Sequence, residues 1–392
     1  MDVSDETVTP MMAQYLDIKA RHRDALLFYR MGDFYEMFFD DAAAAAEALD
    51  IALTKRGKHK GKDIAMCGVP VHSAEGYLLT LIRKGFRVAI AEQMENPAEA
   101  RKRGAKSVVA RDVVRLVTPG TLTEDSLLEA RRHNFLSAFA EVRDEFALAW
   151  CDISTGEFRV MPCPLPRLGA ELARLAPKEV LLTEGSDITL DEGYAVTEVT
   201  RSGFDSSNGE QRLCNLFGVT SLAGYGSFGR AELVAMGALV DYLDLTQRGN
   251  LPLLTPPQQE NPAGLVQIDA STRRNLEITS ALSGGRDGSL IAAVDRTLTS
   301  AGGRLLERRL SAPSRDLSLV KRRLAAVRHF VDHPRLRAEM RDDLRRVPDI
   351  DRALSRLALD RGGPRDVAAI RAGLVAAAGM AMRVPDGAPD LL

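Results

Sequence analysis

The 392-residue sequence predicts a multidomain chain, α/β in its first two regions and all-α in its last. Three observations carry this. The length exceeds what one compact core organises. Short apolar runs alternate with amphipathic stretches through the first two regions, as strands and helices do in α/β folds. From about Leu265 onward, apolar residues recur at spacings of three and four.

The first region spans 1–117. Leu26-Leu27-Phe28-Tyr29 reads as a buried strand stopped by Gly32 and Asp33. A helix should follow, with Phe38, Ala42, Ala45 and Leu49 on one face. Asp33 and Glu36, three residues apart, fit a capping box at its start, and Phe34 would then cover the end of the core. Ser73 is placed to cap a second helix carrying Leu78, Leu81 and Ile82, closed by Lys84 and Gly85. Strands are expected at 87–91 and 111–117. Thr118-Pro119-Gly120-Thr121 reads as a hinge.

The second region spans 122–258. The runs 146–153 and 157–160 flank Ser154-Thr155-Gly156, a β-hairpin signal. A helix over 168–175 leads to a buried strand at 179–182, and the polar, proline-rich segment 251–262 closes the region. The third, 265–392, carries the apolar stripes Val320-Leu324-Val327-Val331, Ile350-Leu354-Leu357 and Val367-Ile370-Leu374, with aspartate and arginine on the other faces. Ser283-Gly284-Gly285 and Ala301-Gly302-Gly303 read as helix breaks.

Hydrophobic residues make up 45% and charged residues 27%, ordinary for a soluble globular protein. A formal charge of −2 excludes a uniformly basic nucleic-acid coat and leaves a local basic patch open. Cys67, Cys151, Cys163 and Cys214 are scattered with no CxxC pair, which argues against zinc and fits a reducing cytosol. The acidic N-terminus lacks signal-peptide character, and no apolar run is long enough to span a bilayer. A cytoplasmic protein without membrane contact is expected.

Candidate chemistry is sparse. Lys55, Arg56, Lys58, Lys60 and Lys62, interleaved with Gly57 and Gly61, form a basic loop suited to phosphate, or equally a solvated surface. Gly57-x-x-x-Gly61-Lys62-Asp63 is one residue short of a P-loop and ends on the wrong side chain. A second cluster, Arg101, Lys102, Arg103 and Lys106, could contact phosphate too, with plain surface the better reading for most of the four. Asp152 with Glu157 or Glu179 supplies a weak nuclease-like alternative, and Asp152 alone fits a turn. Phe34 and Glu36 make an unusual pair: the ring can wedge into a base stack and the carboxylate can accept from a base edge. Locally, core and cap explain them as well.

A longer comparison changes that weighting. The runs 9–16, TPMMAQYL, and 27–36, LFYRMGDFYE, are followed by Leu53-Thr54-Lys55-Arg56-Gly57, Val117-Thr118-Pro119-Gly120-Thr121 and the 269–278 run DASTRRNLEI. In this order they resemble the bacterial MutS family of DNA mismatch-recognition proteins, over nearly the whole chain. The resemblance implies a small mixed α/β mismatch-binding domain (1–117), an RNase H-like α/β connector without nuclease chemistry (122–258), and the incomplete first part of a helical lever (265–392). It implies that Phe34 stacks on the mispaired base from the minor groove and that Glu36 hydrogen-bonds to that base. Lys55 and Arg56 would lie near the DNA backbone and Met31 beside the wedge. Mismatched double-stranded DNA and a MutL-type repair protein are the implied partners.

Intact family members continue through a clamp to an ATPase with a P-loop, and the sequence contains no Walker motif. The chain therefore reads as a non-catalytic N-terminal fragment. ATP and Mg²⁺ are expected only of the ATPase domain, and homodimer pairing only of the intact protein, the fragment being weakly associated or monomeric. The runner-up is a metal-dependent RNase H-like nuclease centred on Asp152.

Overall fold

A computed structural model of the chain describes residues 9–104, 107–191 and 193–391. They form two compact units. The first takes in the described residues to Leu122 with Leu243–Leu251, and the second Thr123–Tyr242 with the described residues from Pro252 on.

The first unit opens with α1 (Pro10–Arg21), capped by Thr9, whose hydroxyl accepts from the Met12 N–H at 3.4 Å. A six-stranded sheet follows, built from β1 (Leu26–Met31), β2 (Phe34–Phe38), β3 (Thr54–His59), β4 (Lys62–Pro70), β5 (Val88–Gln93) and β6 (Arg111–Val117) in the order β3-β4-β2-β1-β5-β6. β1 runs parallel to β5, and the other neighbours are antiparallel. The apolar run Leu26–Tyr29 is buried on both faces, as a central strand should be. Helices α2 (Phe39–Leu49), α3 (Ala74–Arg83) and α4 (Pro97–Lys102) connect the strands. Ala42, Ala45 and Ala46 of α2 are buried, and their small side chains let the helix lie close to the sheet. Tyr15 of α1 packs edge-on to Tyr29 and Phe38 in the core and receives the Phe38 N–H at 3.2 Å.

Several expectations are corrected here. Residues 34–38 form a strand, and helix α2 begins only at Phe39, so Asp33 and Glu36 do not form a capping box. Gly32 and Asp33 instead make the two-residue turn of the β1–β2 hairpin, with Gly32 at φ 61 in the first central position, where a II′-type turn requires glycine. Phe34 is 47% exposed and is no core residue. Ser73 precedes α3, yet its hydroxyl donates back to the Pro70 carbonyl at 3.4 Å rather than capping the helix. The basic stretch is not a loop but the β3–β4 hairpin at the sheet edge, turning at Lys60 and Gly61 with φ 49 and 75. The expected hinge at 118–121 does lie just before the boundary between the two units, and it is a buried 3-10 turn in which the Thr118 N–H donates to Thr121 Oγ1 at 3.0 Å.

The second unit holds a sheet of β7 (Leu136–Val142), β8 (Glu145–Asp152), β9 (Glu157–Pro162), β10 (Glu179–Thr183), β11 (Ala195–Val199) and β12 (Gln258–Gln259), ordered β11-β10-β7-β8-β9-β12. β7, β8 and β9 form an antiparallel meander, while β10 and β11 add in parallel beside β7. The hairpin read from 146–160 is present. Helix α5 (Leu165–Leu175) connects β9 to β10. Helices α6 (Ser206–Phe217) and α7 (Arg230–Gln247) meet where a Cβ on Gly237 would lie 2.4 Å from the Gly209 Cα.

The remainder is helical: α8 (Ala270–Asn275), α9 (Leu290–Val294), α10 (Ser300–Ser311), α11 (Leu317–Asp332), α12 (Pro334–Leu344), α13 (Ile350–Ala358) and α14 (Pro364–Ala381). Asp269, Ser289, Thr299, Asp316 and Asp349 cap helices through side-chain acceptors. Gly302 and Gly303 lie inside the first turn of α10, which corrects the expected break, whereas Gly284 and Gly285 do turn the chain with positive φ. Arg304 is almost fully buried and grips Asp349 bidentately at 2.7 and 2.9 Å while donating to the Ala130 carbonyl. Arg352, also buried, donates to the Glu129 and Arg132 carbonyls at 3.0 Å each. The apolar stripe of α11 stays largely open, with Leu324, Val327 and Val331 all exposed.

Candidate nucleic-acid interface

The β1–β2 hairpin positions the first three candidate residues. Met31 pairs across it with Phe34, and Tyr29 with Glu36. Strand alternation puts Phe34 and Glu36 on one face and Tyr35 and Met37 on the other. Tyr35 is buried and its hydroxyl hydrogen-bonds Glu92 on β5. Burial, reinforced by that bond, pushes its phenol up to about 12. The Arg30 guanidinium lies 5.6 Å from the Tyr35 ring centroid and 3.6 Å from Glu92. Its Nε also donates to the Gly32 carbonyl at 2.5 Å, which ties down the turn. On the other side of β2, the Val71 N–H donates to the Asp33 carbonyl at 2.9 Å. Met31 is half-buried against the core. The outcome is an exposed phenylalanine on a hairpin tip anchored by the residue next to it.

Glu36 lies opposite Gly68 on β4. With no side chain there, the carboxylate is open toward β3, where Arg56 ion-pairs with it across the intervening strand. Arg56 Nη1 also sits 4.0 Å from Met66 Sδ. Lys55 pairs with Asp63 at 2.7 Å, a hydrogen bond that raises the lysine and holds the Asp63 carboxyl below its usual range. Lys58, Lys60 and Lys62 are exposed at the same hairpin, and no ion pair engages them among the described residues. The structure thus brings Met31, Phe34, Glu36 and Arg56 onto strands β1, β2 and β3 of one sheet and puts the lysines at its edge.

Other candidates lie apart. Arg103 is bidentate to Glu95 at 2.5 and 2.6 Å, a surface pairing; Lys106 lies outside the described residues. Gly57 and Gly61 belong to an edge hairpin, so they offer no strand-to-helix cradle for a triphosphate.

Asp152 faces the 153–156 turn as expected, but it is fully buried and both its oxygens are engaged. It accepts from His133 Nδ1 at 2.9 Å, the Asn134 N–H at 3.2 Å, the Ser154 N–H at 3.0 Å and the Ser154 hydroxyl at 2.7 Å. Burial alone would raise its carboxyl, but His133 and these donors hold it well below the usual range. Glu157 is held by Arg159 and Arg308, and Glu179 accepts from Thr197 and Tyr242 at 2.6 Å each. Among the described residues no three His, Cys, Asp or Glu side chains are grouped to hold a metal. The nuclease alternative has no support in this geometry. Among the described residues no helix is long and apolar enough to cross a membrane.

Sequence reading missed the supports: Arg30 and Glu92 beneath Tyr35, and Gly68 beneath Glu36. The alternation of exposed and buried positions over 34–37 carried the only local signal of them.

Residues 9–126 match the family model for MutS domain I, 134–255 that for MutS domain II and 271–389 that for MutS domain III. Among curated proteins, the chain is 73% identical over 392 residues to the DNA mismatch repair protein MutS of Cereibacter sphaeroides strain ATCC 17025, covering all of this chain and 45% of that one. It is 69% identical over 376 residues to that of Paracoccus denitrificans, covering 95% and 43%. To that of Dinoroseobacter shibae it is 66% identical over 389 residues, covering 98% and 44%. The chain spans a little under half the length of these relatives. With three domain models matched in order and this identity along its whole length, the chain belongs to the MutS family.

Proposed function

We propose that this chain recognises mismatched double-stranded DNA for mismatch repair, through a wedge at Phe34 and a base contact at Glu36. One observation carries the reading: a bare aromatic is 47% exposed at the tip of a braced hairpin, with a carboxylate two residues away on the same face. Inserting an apolar ring between base pairs costs a few kcal/mol of unstacking. A mismatched step has already lost part of its pairing and kinks more easily, so the same wedge discriminates by deformability. Glu36 adds a penalty wherever no base donor meets it. Met31 packs beside the wedge, and Lys55 and Arg56 lie along the DNA backbone.

In this reading residues 1–117 are the mismatch-binding domain. Residues 122–258 are an RNase H-like connector that couples to a MutL-type partner, a fold supported by the antiparallel meander with two parallel strands added. Residues 265–392 form the first part of the helical lever. The chain itself binds and does not catalyse; ATP binding and hydrolysis with Mg²⁺, and the homodimer, belong to the intact cytoplasmic family protein. The test is titration of a G·T duplex and its matched counterpart with wild type and Phe34→Ala. Discrimination should vanish in the variant; full retention overturns the wedge.

A further inference from the structure

A cavity of about 250 Å³ in the second unit is lined by seven arginine and lysine side chains against three glutamates, with Trp150 and Phe135 in its wall. Each of those glutamates has a cationic neighbour, with Glu307 Oε2 enclosed and without a hydrogen-bond partner among the described residues. Glu157 Oε1 receives Arg159 at 2.7 Å and Arg308 at 3.0 Å. Glu260 Oε1 lies 2.7 Å from Arg174 Nη2, an ion pair whose N–H is not well aimed, and Glu307 Oε1 lies 3.3 Å from Arg132. Glu171 is buried nearby, and it is divided between Arg167 at 2.9 Å and Arg174 at 2.6 Å.

Arg273 is left over. It projects from α8, is 94% buried by its 6% exposure, and its Nε and Nη1 are enclosed with no hydrogen-bond partner among the described residues. An arginine cannot shed its charge as a buried lysine can, and a buried charge needs a counter-charge or several acceptors. Burial and the neighbouring Arg174 depress its basicity, and Glu171 offsets this only in part. Exposed Arg274 lines the same cavity with no ion-pair partner among the described residues. Glu129 offsets Arg132 and Lys178, and Glu171 offsets Arg174, which leaves Arg273 and Arg274 as the lining cations without an ion pair among the described residues. Two such guanidinium groups suit a doubly charged oxyanion better than a single carboxylate, and their fork matches its geometry.

We propose that this cavity is a binding site for a phosphate group, held chiefly by Arg273 with Arg274 and Arg308 at its rim. This goes beyond the DNA-reading hairpin and uses none of its residues. The test is calorimetric titration of the full chain with inorganic phosphate at ionic strength fixed by chloride, with acetate as the singly charged comparison. Saturable binding of phosphate, at least tenfold tighter than of acetate, is expected in wild type. Arg273→Gln should weaken it tenfold or more, Arg273→Lys less, and Arg274→Gln, an exposed change safe for folding, about threefold. Arg56→Ala should leave it unchanged, which separates this site from the basic hairpin. Tighter binding of thymidine 5′-monophosphate than of the free ion assigns the site to a nucleotide, and the converse to phosphate itself; either sustains the proposal. Absence of saturable phosphate binding to wild type, or equal binding in Arg273→Gln and Arg274→Gln, overturns it.

Discussion

Arg56 and Glu36 stand two strands apart and yet form an ion pair, the arginine crossing β4 beside Met66 to reach the carboxylate. Both are assigned to DNA in the proposed reading, one to phosphate and one to a base. On that reading the pair opens when DNA binds, and the arginine exchanges one carboxylate for phosphate oxygens. Arg56→Ala should weaken binding to matched and mismatched duplexes alike and flatten the slope of log K against log salt by about one. Fluorescence anisotropy at four or five salt concentrations measures both. A selective loss for the mismatch alone would show that Arg56 reads the base pair.

Glu36→Ala removes negative charge from a surface that meets phosphates. Affinity for matched DNA should rise, and the ratio of mismatched to matched binding should fall. The same anisotropy assay decides this at one controlled salt concentration. Weaker binding to matched DNA would mean that Glu36 serves chiefly to hold Arg56 in place.

Acid should weaken the second unit through Asp152. Its carboxyl is held below the usual range in the folded chain, so the native state binds this proton more weakly than the unfolded state. The resulting stability is present above the unfolded value near 3.9 and is lost as pH falls through the native value. Asp152→Asn removes that dependence and replaces a charged acceptor of the His133, Asn134 and Ser154 hydrogen bonds by a neutral amide. A loss of roughly 1–3 kcal/mol at pH 7 is expected from the weakened hydrogen bonds, with a shallower decline below pH ~4. Urea denaturation at pH 7 and at several acid pH values tests both parts.

Two glycines in helices should respond oppositely to alanine. At Gly237 a methyl would lie 2.4 Å from the Gly209 Cα, so α6 and α7 must separate. Overpacking of this kind costs about 1–3 kcal/mol. At Gly169, exposed on α5, a methyl meets nothing within 4 Å. Gly169→Ala should therefore stabilise by roughly 0.5–1 kcal/mol through helix propensity alone. Thermal melts of the two variants should move in opposite directions.

The alternation of strands and helices, the 146–160 hairpin and the helical last region were all legible, because apolar periodicity reports which face is buried. Residues 33–38 were not, since Asp33 and Glu36 satisfy the spacing of a helix cap as well as that of a hairpin turn and strand. Local spacing cannot choose between them; pairing with Gly68 and Tyr29 does, and those partners lie elsewhere in the chain. The basic segment 54–62 looked like a loop because edge strands carry the charges that discourage further pairing. At 301–303 the cap from Thr299 offsets two glycines. The phosphate-type cavity left no trace in the sequence, for its arginines come from several separate elements. The proposed role of Phe34 as a wedge rests, on the sequence side, on the family resemblance alone.

Tyr35 fixes where Phe34 can go. Because the two alternate on one strand, with Tyr35 locked to Glu92 and Arg30, the wedge cannot retreat without pulling a buried ring out of the core. Protein and duplex then act as two springs in series, and the softer one takes up the strain. On the proposed reading, a stiff hairpin forces that strain into the DNA, and the compliance of a base step is what is sensed. A looser mounting would bend equally against every step and distinguish none.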